Sequence, residues 1–539
     1  MKRLALAFLL AAPAYGQDVR PYRPGIDVLD YALTLDLPDS GSFIKGDAVL
    51  TVRRLARVGT LSLDFPGLRV RRVTVDDRTT QFVRADSTLQ IALPRGDSGR
   101  FRVRVTYEGN VADGLIVRQD SLKRWTYFGD NWPNRARHWI PSVDHPSDKA
   151  TVSWTVSAPA GRTVVANGVL VDSRTTGRGR RARTTWRWRE SRPIPTYLMV
   201  IGAAPLARID LGDTACGLGD GDARRCVRQS VYVAPELRGT MPGNFAKAGD
   251  IVRYFATLVG PFPYEKLAHV QSATRFGGME NATAIFYSDA AFRRPEGVGE
   301  GLIAHETAHQ WFGDAVTERE WPHLWLSEGF ATYFAALWTQ KSRGDSAFIA
   351  EMARIRQRVL SDTAAVPKKP VIDTITTELI DLLNRNSYEK GGFVLHMLRR
   401  FVGDKEFFGG LRSYYAKYRN GTVLTPNLQA EIEASSGKKL GPFFDQWLRR
   451  AGYPEMDVVW SDSALTSLSV SITQSGRFGL FEFPLQLALI GPDGDVRRVE
   501  IGVPAQLVTR VVLPVTGSVE RIEADPDVQL LARITVQKP

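Results

Sequence analysis

His305, Glu306 and His309 stand as His-Glu-x-x-His in a chain with seven histidines. On a helix the four-residue spacing stacks both imidazoles on one face, so two ring nitrogens can converge on one ion. Glu306 lies one residue's rotation from that pair, close enough to reach a water on the ion. A catalytic zinc requires a third protein ligand and keeps its fourth position open. Glu328, nineteen residues after His309, meets that need if a second helix starting near Ser327 folds back antiparallel to the first. At this chain's own residue frequencies the five-residue motif is expected by chance roughly 0.004 times, which makes two ordinary helical histidines the poorer account. The expectation is one zinc per chain.

A second group lies upstream in "RFGGMENATAIFY", Arg275 to Tyr287. Gly277 and Gly278 permit close approach of a ligand's backbone, and Glu280 would set an anion at the edge of the site. Taken alone, the stretch reads equally as a turn before a strand.

These residues need a scaffold, and the chain is long enough for several domains. At 539 residues it exceeds the ~250–300 at which single cores stop growing. Its 43% hydrophobic and 24% charged content is that of an ordinary globular protein. From Tyr31 to about Leu206 the apolar pattern is two-fold, as in Phe101, Val103, Val105 and Tyr107 alternating with Arg102, Arg104 and Thr106. Around Met241 it changes to helical spacing, in "NFAKAGDIVRYFATLVG", "GLIAHETAHQWFG", "SEGFATYFAALWTQ", "AFIAEMARIRQRVL" and "SYEKGGFVLHMLRRFVG". After Pro454 alternation returns, with Asp493-Gly494 as a hairpin signal. The predicted class is multidomain α+β: a β-rich domain over 17–233, a mainly helical zinc domain over 234–452, and a small β-sandwich over 453–539.

The first residues, "MKRLALAFLLAAPAYGQ", combine a basic start, a short apolar run and a small-residue ending. Residues 1–16 are therefore expected to be a cleaved signal peptide of a secreted or periplasmic protein. No other segment has the length of a membrane span. Cys216 and Cys226 are the only cysteines and suggest one disulfide in an exported chain. The net charge of +12 implies a basic surface. Its one dense run, Arg174 to Glu190, reads as a solvated hairpin with Trp186 and Trp188 on one face, and no nucleic-acid partner is expected.

Together the motifs "GGMEN", "HETAH", "WLSEGFATY" and "SYEKGG", with weaker echoes in "ARHWIPSVDHPSDKA" and "FFDQWLRRAGYP", resemble the aminopeptidase N family of zinc metallopeptidases. The resemblance runs from about residue 27 to 455. It implies an N-terminal β-domain, a thermolysin-like catalytic domain and a small β-domain, and an enzyme that acts on peptides with a free N-terminus. It implies His305, His309 and Glu328 as zinc ligands, Glu306 as general base and Tyr388 as the phenol that stabilises the oxyanion. It also implies Glu280 as the carboxylate that grips the substrate's α-ammonium, within a substrate-binding stretch of Gly277, Gly278, Met279 and Asn281.

There are departures from the family pattern. Where many relatives carry a second residue that contacts the amino terminus, "YFGDNWPNRAR" offers Asp130, the nominated replacement. His323 stands where relatives often have an acidic or amide residue, and an exposed loop histidine is expected there rather than an extra ligand. The large C-terminal helical domain of many members is expected to be missing. Two other readings stay open: a zinc endopeptidase or small-molecule hydrolase on the same site, and an inactive scaffold.

Overall fold

Alternating apolar and charged residues build the N-terminal layer of the computed structural model, which describes residues 22–96, 98–215, 226–239, 243–464 and 466–538. In the strand Gly99–Asn110, Val103, Val105 and Tyr107 are buried while Arg102 and Arg104 face solvent. One face of a pleated strand thus meets the core. This strand joins Phe43–Arg54, Ile26–Asp36, Lys149–Pro159 and Arg183–Pro195 in an eight-stranded sheet. Its far edge is Val169–Thr176, exposed throughout, and Trp188 and Trp186 lie opposite Trp154 and Val156 on the next strand. The arginine-rich run is the hairpin its pattern predicts. The expected leader at 1–16, and Cys216 with its expected disulfide to Cys226, lie outside the described residues.

A five-stranded sheet supports the site: β1 (Ala207–Ala215), β2 (Cys226–Val233), β3 (Lys266–Ser272), β4 (Gly278–Met279) and β5 (Ala284–Ser288), in the order β1-β2-β3-β5-β4. β2 and β3 pair in parallel, so β1 and β2, expected in the N-terminal domain ending at 233, belong to the sheet of the following region. A two-fold pattern reports a strand and its buried face but not the sheet that strand will join. β4 is a free edge of this sheet and carries the Gly-Gly-Met stretch.

Five helices that position the site fall where helical spacing predicts them: α1 (Ala248–Val259), α2 (Glu300–His309), α3 (Trp325–Arg343), α4 (Asp345–Leu360) and α5 (Gly391–Val402). α3 starts at Trp325, two residues before the expected Ser327, after a three-residue strand Val316–Glu318 and a turn at Trp321–His323. It ends at Gly344, whose φ of +86° lets the chain reverse into α4. α3 and α5 cross with almost no side chain between them. A Cβ on Gly329 would stand 2.9 Å from the carbonyl carbon of Gly391, and one on Gly392 would stand 3.1 Å from Thr332 Cγ2. That close crossing carries the π-helical turn Asn386–Lys390, which opens α5, up to the third ligand on α3.

Residues beyond 454 form two further sheets, of four and three strands. No described helix is long and apolar enough to cross a membrane.

Candidate metal centre and substrate cleft

α2 presents His305 and His309 one turn apart, and α3 brings Glu328 against them. His305 Nε2 and His309 Nε2 are 3.1 Å apart, and each lies 3.4 Å from Glu328 Oε2. A tetrahedral zinc with arms of ~2.0–2.1 Å has an edge of about 3.3 Å, so the three atoms already occupy three corners of such a site. Glu328 Oε2 is buried and has no hydrogen-bond partner of its own, as a metal-binding oxygen requires. A second possible set, Glu280, Glu306 and His309, also lies within 4.8 Å, but it would use up the carboxylates needed for chemistry. The donor set fits zinc through His305, His309 and Glu328.

His309 is oriented from behind. Its Nδ1 lies 3.0 Å from Ser327 Oγ and 3.2 Å from the carbonyl oxygen of Phe312, leaving Nε2 for the ion. Burial would strip a proton from this ring, yet the carboxylates of Glu280, Glu328 and Glu306 outweigh it and raise its pKa. A pocket with that much buried negative charge suits a divalent cation. The Glu328 carboxyl, despite burial, is held down at about 2 by His309 and His305.

Glu306 is buried beside the ligands, and burial pushes its carboxyl well above the usual range. A carboxyl whose hold on a proton is strengthened by burial suits proton transfer. The space it occupies exists because residue 278 is glycine: a Cβ there would lie 2.2 Å from Glu306 Oε1. Gly278, expected to line the substrate, thus also makes room for the Glu306 carboxyl. Gly278→Ala is expected to lower kcat about 10-fold or more by displacing that carboxyl, with metal content unchanged. Steady-state kinetics alongside metal analysis would check it, and unaltered kcat would contradict this role.

Tyr388 rises from the π turn onto the opposite rim, its hydroxyl donating to Glu328 Oε1 at 2.8 Å and its ring stacked 6.1 Å from His305. Burial and Glu328 keep the phenol protonated far above neutral pH. Glu280 is buried at the end of β4, its carboxyl raised to about 7, first by desolvation and against the opposing pull of His309.

Gln310, unremarked in the sequence, ties this loop to the metal helix. Its Oε1 accepts from Thr283 N at 2.9 Å, and its Nε2 donates to the Glu280 carbonyl and to Asp314 Oδ2, both at 2.8 Å. Thr283 itself has φ +66°. The clue was its place directly after the second histidine; its partners could not be read.

Gly277, Gly278, Met279, Glu280, the three ligands, Glu306 and Tyr388 line one cleft of about 560 Å³. Two nominated residues do not. Asn281 is fully buried away from it. Asp130 departs further from expectation: its carboxylate is wholly buried, accepting from Arg135 at 2.8 Å and from Thr274 at 3.1 Å. Trp132, two residues on, lines the cleft instead, packed edge-on against Phe276 and Trp321. Spacing along an irregular loop does not say which residue turns inward. His323 is half-buried rather than exposed, with Nδ1 2.8 Å from Thr425 Oγ1, and lies outside the ligand cluster.

Two imidazoles and a carboxylate on paired helices, with a buried acid beside them and a sheet edge across the cleft, define the site of a zinc metallopeptidase. The chain belongs to peptidase family M1: residues 28–198 match the Peptidase M1 N-terminal domain and residues 247–447 the Peptidase family M1 domain. It is 26% identical over 495 residues to "Probable aminopeptidase 2" of Sulfurisphaera tokodaii, a match covering 86% of this chain and 59% of that protein. The chain thus spans little more than half the length of that relative. Among solved structures, the M1 zinc metallopeptidase of Deinococcus radiodurans is 28% identical, with TM-score 0.68 over 81% of this chain and 96% of the other. A mutant of that enzyme described as bound to a Tyr-Ser-Ala substrate aligns with TM-score 0.67 at 27% identity, over 81% of this chain and 96% of the other.

Proposed function

We propose that this protein is a zinc-dependent aminopeptidase, binding one zinc per chain and hydrolysing the first peptide bond of substrates with a free N-terminus. The observation that carries the reading is the buried Glu280 carboxylate in the same cleft as the His305, His309 and Glu328 donors. Among the described residues the one lysine or arginine lining the cleft, Arg358, pairs with Glu389 and not with Glu280, so a substrate ammonium would supply the missing partner. An acetylated terminus would leave a buried carboxyl unpaired, at a cost of ~1–3 kcal/mol or more. A chain continuing past Glu280 would meet the same penalty, which argues against an endopeptidase. The aminopeptidase names of relatives and the peptide-bound Deinococcus structure support the same reading.

When bound, zinc supplies Lewis acidity, bringing the pKa of water towards ~7 and polarising a carbonyl. The remaining work falls to the chain. β4 offers its free edge to the substrate backbone, and Glu280 fixes the register by holding the terminal ammonium. Glu306 accepts the proton of the attacking water and returns it to the departing amine nitrogen. The Tyr388 hydroxyl turns from Glu328 to donate to the oxygen on which negative charge develops.

The test is one peptide with a free amino terminus and the same peptide acetylated, each incubated with zinc-loaded protein and followed by mass spectrometry. Loss of one residue from the free peptide alone is expected, and Glu280→Gln should lower its kcat/KM about 100-fold. Internal cleavage of both would overturn the exopeptidase reading. The leader at 1–16 supports the further proposal of secretion or periplasmic residence, checked by the N-terminus of the mature protein.

A further inference from the structure

Beyond the ligands the cleft follows α3. Thr332, Ala335, Ala336 and Thr339 lie four, seven, eight and eleven residues after Glu328, the spacing of one helix face, and all four line the cleft. At 1.5 Å per residue this small-residue floor runs about 16 Å from the metal ligand. α4 folds back along it and contributes Glu351, Ile355 and Arg358. Glu280 lines the same cleft, its carboxylate within 4.8 Å of Glu306 and His309 ligand atoms. With the N-terminus held there, the α3 floor is left for the fragment past the scissile bond.

Arg358 is the one cation besides the two ligand histidines among the described residues lining the cleft. Its side chain is 58% exposed, and its single ion-pair contact is to Glu389 Oε1 at 3.6 Å. That same oxygen is already taken at closer range by Arg385. Two guanidinium groups therefore converge on one oxygen of Glu389, Arg385 at hydrogen-bond distance and Arg358 beyond it, while Glu389 Oε2 has no hydrogen-bond partner among the described residues. A planar fork with five N–H donors is matched by a carboxylate.

We infer that Arg358 receives a carboxylate of the leaving fragment, just past the scissile bond. This rests on the aminopeptidase reading and deepens it: the substrates favoured are short peptides whose own C-terminus reaches Arg358, or peptides with an acidic side chain after the bond cleaved. A charge-assisted hydrogen bond of this kind corresponds to about 10-fold or more in binding.

The experiment compares Leu-Gly-Gly with its C-terminal amide, and Leu-Asp-Gly-amide with Leu-Asn-Gly-amide, by kcat/KM. The first pair reports the C-terminus and the second an acidic side chain. A preference for the carboxylate member of either pair by about 10-fold, carried in KM, is expected. The ratio should collapse towards one in Arg358→Gln and recover in part in Arg358→Lys. The same pairs are titrated calorimetrically against zinc-loaded Glu306→Gln, which reads binding without cleavage. Equal treatment of both members of both pairs would overturn the inference and leave the aminopeptidase reading standing, as would a ratio that survives Arg358→Gln. Carboxylate-selective binding to Glu306→Gln by a wild-type protein that cleaves nothing would sink the aminopeptidase reading alone.

Discussion

Replacing Glu306 with Gln should lower kcat by about 10³-fold or more while the protein keeps its zinc. The amide fills the same space, under the gap left by Gly278, and residue 306 supplies none of the three ligand atoms, so fold and metal site should persist. It cannot accept a proton. In the proposed reaction the base acts twice, on the attacking water and on the departing amine, and both transfers fail together. Turnover of a free-amine tripeptide, measured with metal content by atomic absorption, checks it. Activity within 10-fold of the parent at full zinc occupancy would remove Glu306 from the role of base.

The second large effect is expected at Tyr388. Phenylalanine keeps the ring against His305 and deletes the hydroxyl, a neutral donor that burial holds protonated. Loss of such a donor costs about 10²–10³ in kcat, with KM nearly unchanged, because the hydroxyl serves the transition state rather than the ground state. The same hydroxyl donates to Glu328, so zinc affinity should weaken as well, within the ~10–100-fold usual for a ligand's hydrogen-bonding partner. Measuring kcat at saturating zinc separates the two effects. A loss fully restored by added zinc would mean that Tyr388 only steadies the ligand.

Much of the centre was legible because its residues are close in sequence and helix geometry is regular. A spacing of four between histidines on a helix allows one arrangement, and the pair converges as expected. The position of Glu328 followed from the assumption that a second helix returns to the first, and α3 does bring its carboxylate within 3.4 Å of both histidines. The five helical stretches and the alternation around Val103 and Val105 were legible for the same reason: periodicity is a local property.

What local pattern leaves open is which surface meets which. The "EGF" of α3 and the "KGG" before α5 read as motif letters, whereas their glycines let two helices touch and so bring Tyr388 to Glu328. Gly278 matters for the carboxyl 28 residues away that it does not crowd. Asp130 and Trp132 are two positions apart in an irregular loop, and only the fold decided that the aspartate would be consumed by Arg135 and Thr274 while the tryptophan faced the cleft. The surplus arginine at 358 becomes visible once α4 lies along α3 and Glu389 is seen to be already paired. The sequence by itself determined the zinc donors, the acid beside them and the change from two-fold to helical pattern, since each follows from residue types at fixed local spacing. The tertiary structure decided the cleft walls, the room for the base and the unfilled charge, because contacts between distant segments depend on backbone approach, which spacing along the chain does not encode.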